Sequence, residues 1–224
     1  MKLQEKITIK GTITTITGLH IGGSKSYIEI GGMDNIVIKT PKGVPFIPGS
    51  SLKGKLRSLL VRNNSNSKNE HEDPVDIQKL FGYQGRNEDL LKKIEKKDPQ
   101  ISRLIFRDAY LNEEQFKNTF KDCSMASEFT EEKYENVIDR KSGKAQHPRQ
   151  MERVPAGATF DFEIIMDVYE DDEKQEMIEL LKQAFSLLED DYLGGSGTRG
   201  YGKVKIDYTI GNPKTYKIHE SSNS

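Results

Sequence analysis

The stretch Leu193-Gly194-Gly195-Ser196-Gly197-Thr198-Arg199-Gly200-Tyr201-Gly202-Lys203-Val204 separates a helical pattern from a strand pattern. It contains five glycines between positions 194 and 202. Glycine has no Cβ, so it adopts positive φ angles easily and lets a second backbone or a ligand come close. With one cation near its centre, Arg199, the loop suits a polyanion lying across the fold. A tight turn without a ligand explains the same glycines, so the loop alone does not decide between the two.

The order of elements around this loop excludes one interpretation. Gly195, Gly197 and Gly200 spell G-x-G-x-x-G, the dinucleotide fingerprint, which requires a strand before the loop and a helix after it. Here a helical pattern over residues 173–190 comes first and a strand pattern over 201–208 follows. A nicotinamide site therefore conflicts with the sequence.

Composition bounds the class of protein. The 224 residues include 34 Lys and Arg against 35 Asp and Glu, so net charge does not decide whether the partner is a nucleic acid. Cys123 is the single cysteine, which excludes internal disulfides and a multi-cysteine zinc site. The sequence shows no signal-peptide pattern and no apolar run of membrane-spanning length. We expect a soluble cytoplasmic protein without a membrane partner.

The distribution of charge is more informative than its sum. Residues 35–69 contain seven Lys and Arg and no acid, and Asp34 borders this tract. A carboxylate beside a basic tract makes sense if the tract holds a phosphate backbone while the carboxylate binds a metal or orients a nucleophile. An Asp next to Asn and glycine is also an ordinary turn former.

A helix over residues 50–61 supplies part of the basic tract. Its leucines recur at helical spacing, Ser50 or Ser51 can cap it, and its N-terminus offers free N–H groups to an anion. A solvated basic face is the alternative for each single cation. The cations of this helix are Lys53, Lys55 and Arg57, and as a cluster they favour phosphate contact.

Two further segments carry candidate nucleic-acid contacts. His20 lies in a glycine-containing loop at 18–23, where it could meet a phosphate or a base, or serve a structural role. Residues 139–155 are rich in Lys and Arg around the turn dipeptide Ser142-Gly143, which predicts an exposed basic hairpin; a disordered loop is the alternative.

The strongest elements give the order β (6–16), α (50–61), β (103–110), β (158–169), α (174–190), β (201–209). This is the βαββαβ order of an α+β, ferredoxin-like (RRM-like) domain. We expect one domain over residues 1–211 and a polar tail over 212–224. Two long insertions, a lid at about 62–101 and a thumb-like hairpin within about 111–157, complete it.

Five motifs in order resemble one family along the whole chain. They are Gly18-Leu19-His20-Ile21-Gly22-Gly23, Gly32-Met33-Asp34-Asn35, the run from Pro45 to Arg57, Arg153-Val154-Pro155-Ala156-Gly157, and the glycine-rich stretch at 193–202. Together they resemble the RAMP superfamily. More closely, they are similar to the backbone subunit of the type III-A CRISPR effector, the Csm complex.

The resemblance implies a function and partners. Copies of such a subunit stack as a filament along a guide RNA, beside other Csm subunits, and a thumb interrupts the guide–target duplex at regular intervals. It also implies a metal-dependent endoribonuclease that cuts target RNA, with a divalent metal such as Mg²⁺. The catalytic and metal-binding residue then falls on Asp34, and the RNA-binding positions fall on His20, Lys53, Lys55, Arg57, Arg149, Gly195, Gly197, Arg199 and Gly200.

Two alternatives share the basic residues. A purely structural RNA-binding subunit would differ at Asp34 alone. An endoribonuclease that processes CRISPR-repeat RNA would cut without partner subunits.

Overall fold

The computed structural model describes residues 2–23, 35–64, 73–82, 101–123, 125 and 127–215, the side chain of His147 excepted. Within these ranges it contains both α-helices and antiparallel sheets, as the sequence predicts. The strands are β1 Leu3–Thr15, β2 Phe46–Ile47, β3 Leu104–Phe106, β4 Ala109–Leu111, β5 Glu131–Ile138, β6 Ala145–Arg153, β7 Thr159–Tyr169, β8 Val204–Ile210 and β9 Lys214–Thr215. The α-helices are α1 Gly49–Asn63, α2 Val75–Phe81, α3 Glu113–Thr119 and α4 Lys174–Asp190.

The main sheet runs in the order β2-β4-β7-β1-β8, with β3 also paired to β7 and β9 to β1. The long central strands β1 and β7 are antiparallel, and Ile9 lies opposite Ile164. Alternate side chains of a strand point to opposite faces. The apolar set of each central strand is therefore buried on one face of the sheet.

The two long helices complete the core. The predicted leucine stripe of α1 is confirmed, since Leu52, Leu56 and Leu60 are buried. In α4 the apolar stripe is buried around Leu181 and Leu188. The short helix α2 buries Ile77, Leu80 and Phe81. No helix among the described residues is long and apolar enough to cross a membrane.

The strand predicted over residues 103–110 is divided, because β3 and β4 pair with β7 on either side of a break at Arg107-Asp108. At the break the Asp108 carboxylate accepts a hydrogen bond from the Gly49 amide, the first residue of α1, at 2.8 Å. The predicted serine cap of α1 is wrong, because Pro48 precedes the helix and no side chain caps it from that position. The carboxylate also occupies the predicted anion site.

Strands β5 and β6 form the predicted hairpin, a two-stranded sheet apart from the main one. The Asp139 carboxylate accepts hydrogen bonds from the amides of Lys141 and Ser142, and Gly143 has a φ of 67°. The turn chemistry is therefore what the sequence predicts.

Three features were not predicted from the sequence. Helix α3 falls in a segment without clear periodicity, and Asn112 caps it by accepting from the Gln115 amide. Residues 35–39 form isolated bridges only. The tail begins with the short strand β9 against β1. Residues 65–72 and 83–100 of the predicted lid lie outside the described residues.

Candidate nucleic-acid interface

The glycine loop (residues 193–203) connects α4 to β8, so the helix–loop–strand order is confirmed. Gly194 has a φ of 76°, and a Cβ there would lie 2.3 Å from the His20 carbonyl oxygen. The amide of Gly195 donates to this same oxygen at 2.8 Å, and that of Gly200 donates to the Gly197 carbonyl at 3.0 Å. The amides of Gly195 and Gly200 are therefore not free to meet a phosphate, because both are used within the protein.

His20 lies beneath the glycine loop and is 9% exposed. Its Nδ1 makes a 2.7 Å hydrogen bond with the carbonyl oxygen of Glu152 at the end of the hairpin. The side chain therefore connects the glycine loop to the hairpin. Of the two roles open to His20, the geometry favours the structural one.

The base of the hairpin contacts the glycine loop through a charged cluster. Arg199 is exposed and its Nε lies 3.6 Å from the Glu135 carboxylate of β5, which also pairs with Lys133 at 3.5 Å. The buried Tyr201 ring belongs to the same cluster. The cations of Lys133 and Arg153 lie over this ring, 4.4 and 5.1 Å from its centroid. This arrangement holds the single cation at the centre of the glycine loop against the hairpin.

The charged cluster shifts the titration of two of its members. Burial, followed by the neighbouring Glu135 carboxylate, raises the pKa of Tyr201 to about 12. Burial by itself would raise the pKa of Glu135. The interactions with Tyr201, Arg199 and Lys133 outweigh it and hold that pKa below its usual value.

Lys55 approaches the glycine loop from α1. Its Nζ lies 3.6 Å from the centroid of the Tyr192 ring and 3.3 Å from the Asp191 carboxylate, which Arg62 also contacts at 2.8 Å. Gly197 lies against the same ring, where a Cβ would come within 2.0 Å. Burial lowers the pKa of Lys55 although Asp191 opposes the shift. The structure therefore brings Lys55 to the loop but pairs its charge.

Lys53 and Arg57 lie on another side of α1. Arg57 is 9% exposed and forms an ion pair with Asp73 at 2.5 Å, while Lys53 donates to the Ser102 hydroxyl at 3.1 Å. Burial and then the charge of Arg57 lower the pKa of Lys53. The acid-free tract is thus neutralised in part by acids distant in sequence, and the expected cluster of three cations on α1 is divided between two places.

The hairpin carries exposed cations and exposed apolar side chains. Arg149 of β6 lies opposite Glu135 in the strand register, and like Arg140, Lys141 and Lys144 it is exposed. On β5 the exposed apolar residues are Tyr134 at 62%, Val137 at 50% and Ile138 at 63%.

Glu152, near the end of β6, joins the hairpin to the segment that follows Asp34. Its buried carboxylate accepts from Lys39 Nζ at 2.5 Å, Thr130 Oγ1 at 2.6 Å and the Val37 amide at 2.8 Å. Its own amide donates to the Asn35 carbonyl at 3.0 Å. Burial alone would raise its pKa, but these hydrogen bonds and the Lys39 charge hold it below the usual value.

The predicted catalytic residue Asp34 lies outside the described residues. Within the described ranges, no group of three or more His, Cys, Asp and Glu side chains could hold a metal ion. Asp34 therefore stays a prediction from the sequence.

Sequence reasoning missed the acids that organise this region. Glu152 is one of only two acids in the basic stretch at 139–155, so the argument that singled out Asp34 applied to it as well. Tyr201 stands within the glycine-rich stretch, but a pattern of glycines gives no sign that the hairpin packs on that ring. Asp191 and Asp73 carried no signal, because their partners are distant in sequence.

Comparison with known proteins agrees with the resemblance. A model of the RAMP superfamily matches residues 12–205. The "CRISPR system Cms endoribonuclease Csm3" of Methanocaldococcus jannaschii is 42% identical over 216 residues, covering 92% of this chain and 80% of the relative. The protein of the same name from Streptococcus thermophilus is 41% identical over 208 residues, covering 90% and 87%. A crystal structure of the Csm3-Csm4 subcomplex in the type III-A CRISPR-Cas interference complex matches with a TM-score of 0.56 and 31% identity, over 96% of this chain and 83% of that one.

Proposed function

Because the chain belongs to the RAMP superfamily and is about 40% identical to the Csm3 endoribonucleases, we propose that it is a backbone subunit of a type III-A CRISPR ribonucleoprotein. It binds guide RNA and, within the complex, cuts complementary target RNA at regular intervals. The observation that carries this proposal is the identity over 90% or more of the chain to proteins named as CRISPR endoribonucleases.

The proposal includes a ferredoxin-like body over residues 1–211 with two insertions. The strand order β4-β7-β1-β8 with α1 and α4 supports it, because the βαββαβ connection pairs its first strand with its third and its fourth. The hairpin of β5 and β6 is then the thumb. We infer that other Csm subunits and further copies of this chain, stacked along the guide, are its protein partners.

The guide RNA lies, in this proposal, along the cations around the glycine loop and the hairpin. Arg199 is the exposed cation of the loop, and Arg149 with Lys133 extends the positive surface along the hairpin. Phosphates are bound by such side chains without regard to sequence. The exposed Tyr134 of β5 is suited to contact a base, because unpaired bases stack on aromatic side chains.

Asp34 is the proposed catalytic residue. In-line attack by a ribose 2′-hydroxyl on its own phosphate requires a rotated nucleotide, which a hairpin inserted into the duplex would impose. Asp34 would hold a divalent metal, with Mg²⁺ as the expected ion, and a bound metal offsets charge that develops on the phosphate. The contribution of the described residues is to grip the backbone and to anchor Asn35, the next residue in the chain.

The proposal is tested with the complex purified through a tagged copy of this chain. We expect partner subunits and a small RNA to accompany it, and target RNA to be cut at regular spacing. Asp34→Ala should abolish cutting and leave target binding unchanged. Asp207→Asn, an exposed carboxylate on β8, is the matched control and should cut normally.

The outcomes separate the competing functions. Cutting that survives Asp34→Ala would refute the catalytic assignment and leave a structural RNA-binding subunit. Cleavage of CRISPR-repeat RNA by the isolated chain would instead identify a processing enzyme.

A further inference from the structure

Glu152 is the most completely buried carboxylate for which the structure gives several partners, with 2% of its side chain exposed. Its oxygens accept from Lys39, Thr130 and the Val37 amide. A buried charge costs folding free energy unless it is paired and hydrogen-bonded. Its burial also keeps it from touching RNA, so any role in the reaction must act through its neighbours.

Glu152 and those neighbours belong to three different segments. Val37 and Lys39 belong to residues 35–39, Thr130 directly precedes β5, and Glu152 itself lies in β6. Its backbone adds two more links: its amide donates to the Asn35 carbonyl at 3.0 Å, and its carbonyl oxygen accepts from His20. One residue therefore ties both ends of the hairpin to the segment that begins directly after Asp34.

Residues 35–39 have little other regular structure. They form isolated bridges only, such as Asn35 with Met151 and Val37 with Gly22, rather than a strand of a sheet. Backbone hydrogen bonds join this segment to residues 21–23, since the Gly23 amide donates to the Ile36 carbonyl at 3.0 Å and the Ile38 amide to the Ile21 carbonyl at 2.9 Å. The carboxylate of Glu152 adds side-chain contacts to the same segment from the hairpin side.

We propose that Glu152 is a positioning residue that couples the seating of the hairpin to the segment carrying the catalytic carboxylate. The three hydrogen bonds to the carboxylate keep residues 35–39, which directly follow Asp34, in register with the hairpin. The inference rests on the proposed function, since it assigns Glu152 a part in the Asp34-dependent reaction.

The test compares Glu152→Gln with wild type in the assembled ribonucleoprotein. Lys39 and Thr130 donate to one carboxylate oxygen and the Val37 amide to the other. Gln keeps the shape but replaces one of these acceptors by an NH₂ donor, so in either orientation of the amide it cannot accept all three hydrogen bonds. The single-turnover cutting rate at saturating complex should fall by about tenfold to a hundredfold, the range that a small misplacement of a reacting group produces. The affinity for target RNA and the spacing of the remaining cuts should stay as in wild type.

Matched variants separate positioning from general stability. Glu131→Gln removes the ion pair with Arg153 at 2.6 Å in the same hairpin without touching residues 35–39, and should cut at the wild-type rate. Thr130→Val removes one hydrogen bond from Glu152 and should lower the rate by a smaller factor. The double variant with Lys39→Gln and Glu152→Gln should cut no more slowly than the slower of the two single variants, because both substitutions remove the same contact.

The results distinguish the two proposals. If Asp34→Ala stops cutting while Glu152→Gln and Thr130→Val cut at the wild-type rate, the inference about Glu152 is refuted and the proposed function stands. If Glu152→Gln lowers the target affinity by the same factor as the cutting rate, and also lowers the melting temperature of the complex, its role is structural and the inference also fails. If Asp34→Ala still cuts, the proposed function itself is wrong.

Discussion

Replacing the two partners of the contact between the glycine loop and the hairpin should change RNA affinity in opposite directions. Arg199 is 60% exposed and lies 3.6 Å from the Glu135 carboxylate. We expect this carboxylate to compete with an RNA phosphate for the guanidinium. Arg199→Gln should therefore weaken RNA binding, and Glu135→Gln should strengthen it.

The magnitude follows from the exposure of the pair, in which the Arg199 side chain is 60% and the Glu135 side chain 19% exposed. An ion pair with a solvent-exposed partner contributes about 0.2–1 kcal/mol, so removing the competing carboxylate should tighten RNA binding by about 1.4- to 5-fold. Arg199→Gln removes one phosphate contact and should reduce the slope of log K against log salt by about 0.7, the value for one contact with a single strand. Arg199→Gln should not unfold the protein, because its side chain lies largely in water.

The assay is fluorescence anisotropy of a labelled single-stranded RNA with the full-length chain, at several salt concentrations. Lys205→Gln is the matched control, since Lys205 is 63% exposed on β8 and contacts Asp207 rather than the hairpin. Its effect on affinity should be smaller than that of Arg199→Gln. Weaker binding by Glu135→Gln, or equal salt slopes for wild type and Arg199→Gln, would refute the reasoning.

Two further predictions concern stability. Because the pKa of Tyr201 is raised to about 12, its stability contribution is fully present below the unfolded value of about 10 and is lost as pH rises through 12. Urea unfolding should therefore show a steeper loss of stability over this interval for wild type than for Tyr201→Phe; equal slopes would contradict the shift. Arg103 and Asp172 form an ion pair at 2.9 Å, with side chains 3% and 5% exposed. Asp172→Asn should therefore lower the free energy of unfolding, measured by chemical denaturation, by about 3–5 kcal/mol. A loss under about 1 kcal/mol would contradict this prediction.

Local patterns in the sequence were sufficient for the regular elements. The alternation of residues 158–169 and the apolar stripe of residues 174–190 predict β7 and α4 almost to the residue. Both patterns reflect one buried face, which a strand or a helix must have wherever it packs. The turn at Ser142-Gly143 follows for a similar reason, because its chemistry is complete within a few residues.

Helix α3 and the division between β3 and β4 could not be read in this way. The first depends on a cap from Asn112 in a segment with weak periodicity. The second depends on Asp108, which bonds to Gly49 at the start of α1, 59 positions away. Contacts over such separations leave no periodic trace in the chain.

The same distinction between local and long-range contacts applies to the candidate interface. The order of residues alone determined that Gly194 to Gly202 form a loop between a helix and a strand, that a basic hairpin turns at Ser142-Gly143, and that the chain resembles the RAMP superfamily. Only the tertiary structure decided which charges remain exposed. Arg57, Lys55 and Lys39 are paired with Asp73, Asp191 and Glu152, while Arg199 remains largely exposed. The reason is physical: secondary structure depends on neighbours a few residues apart, whereas the pairing of a charge depends on which distant segment the fold brings within about 4 Å of it.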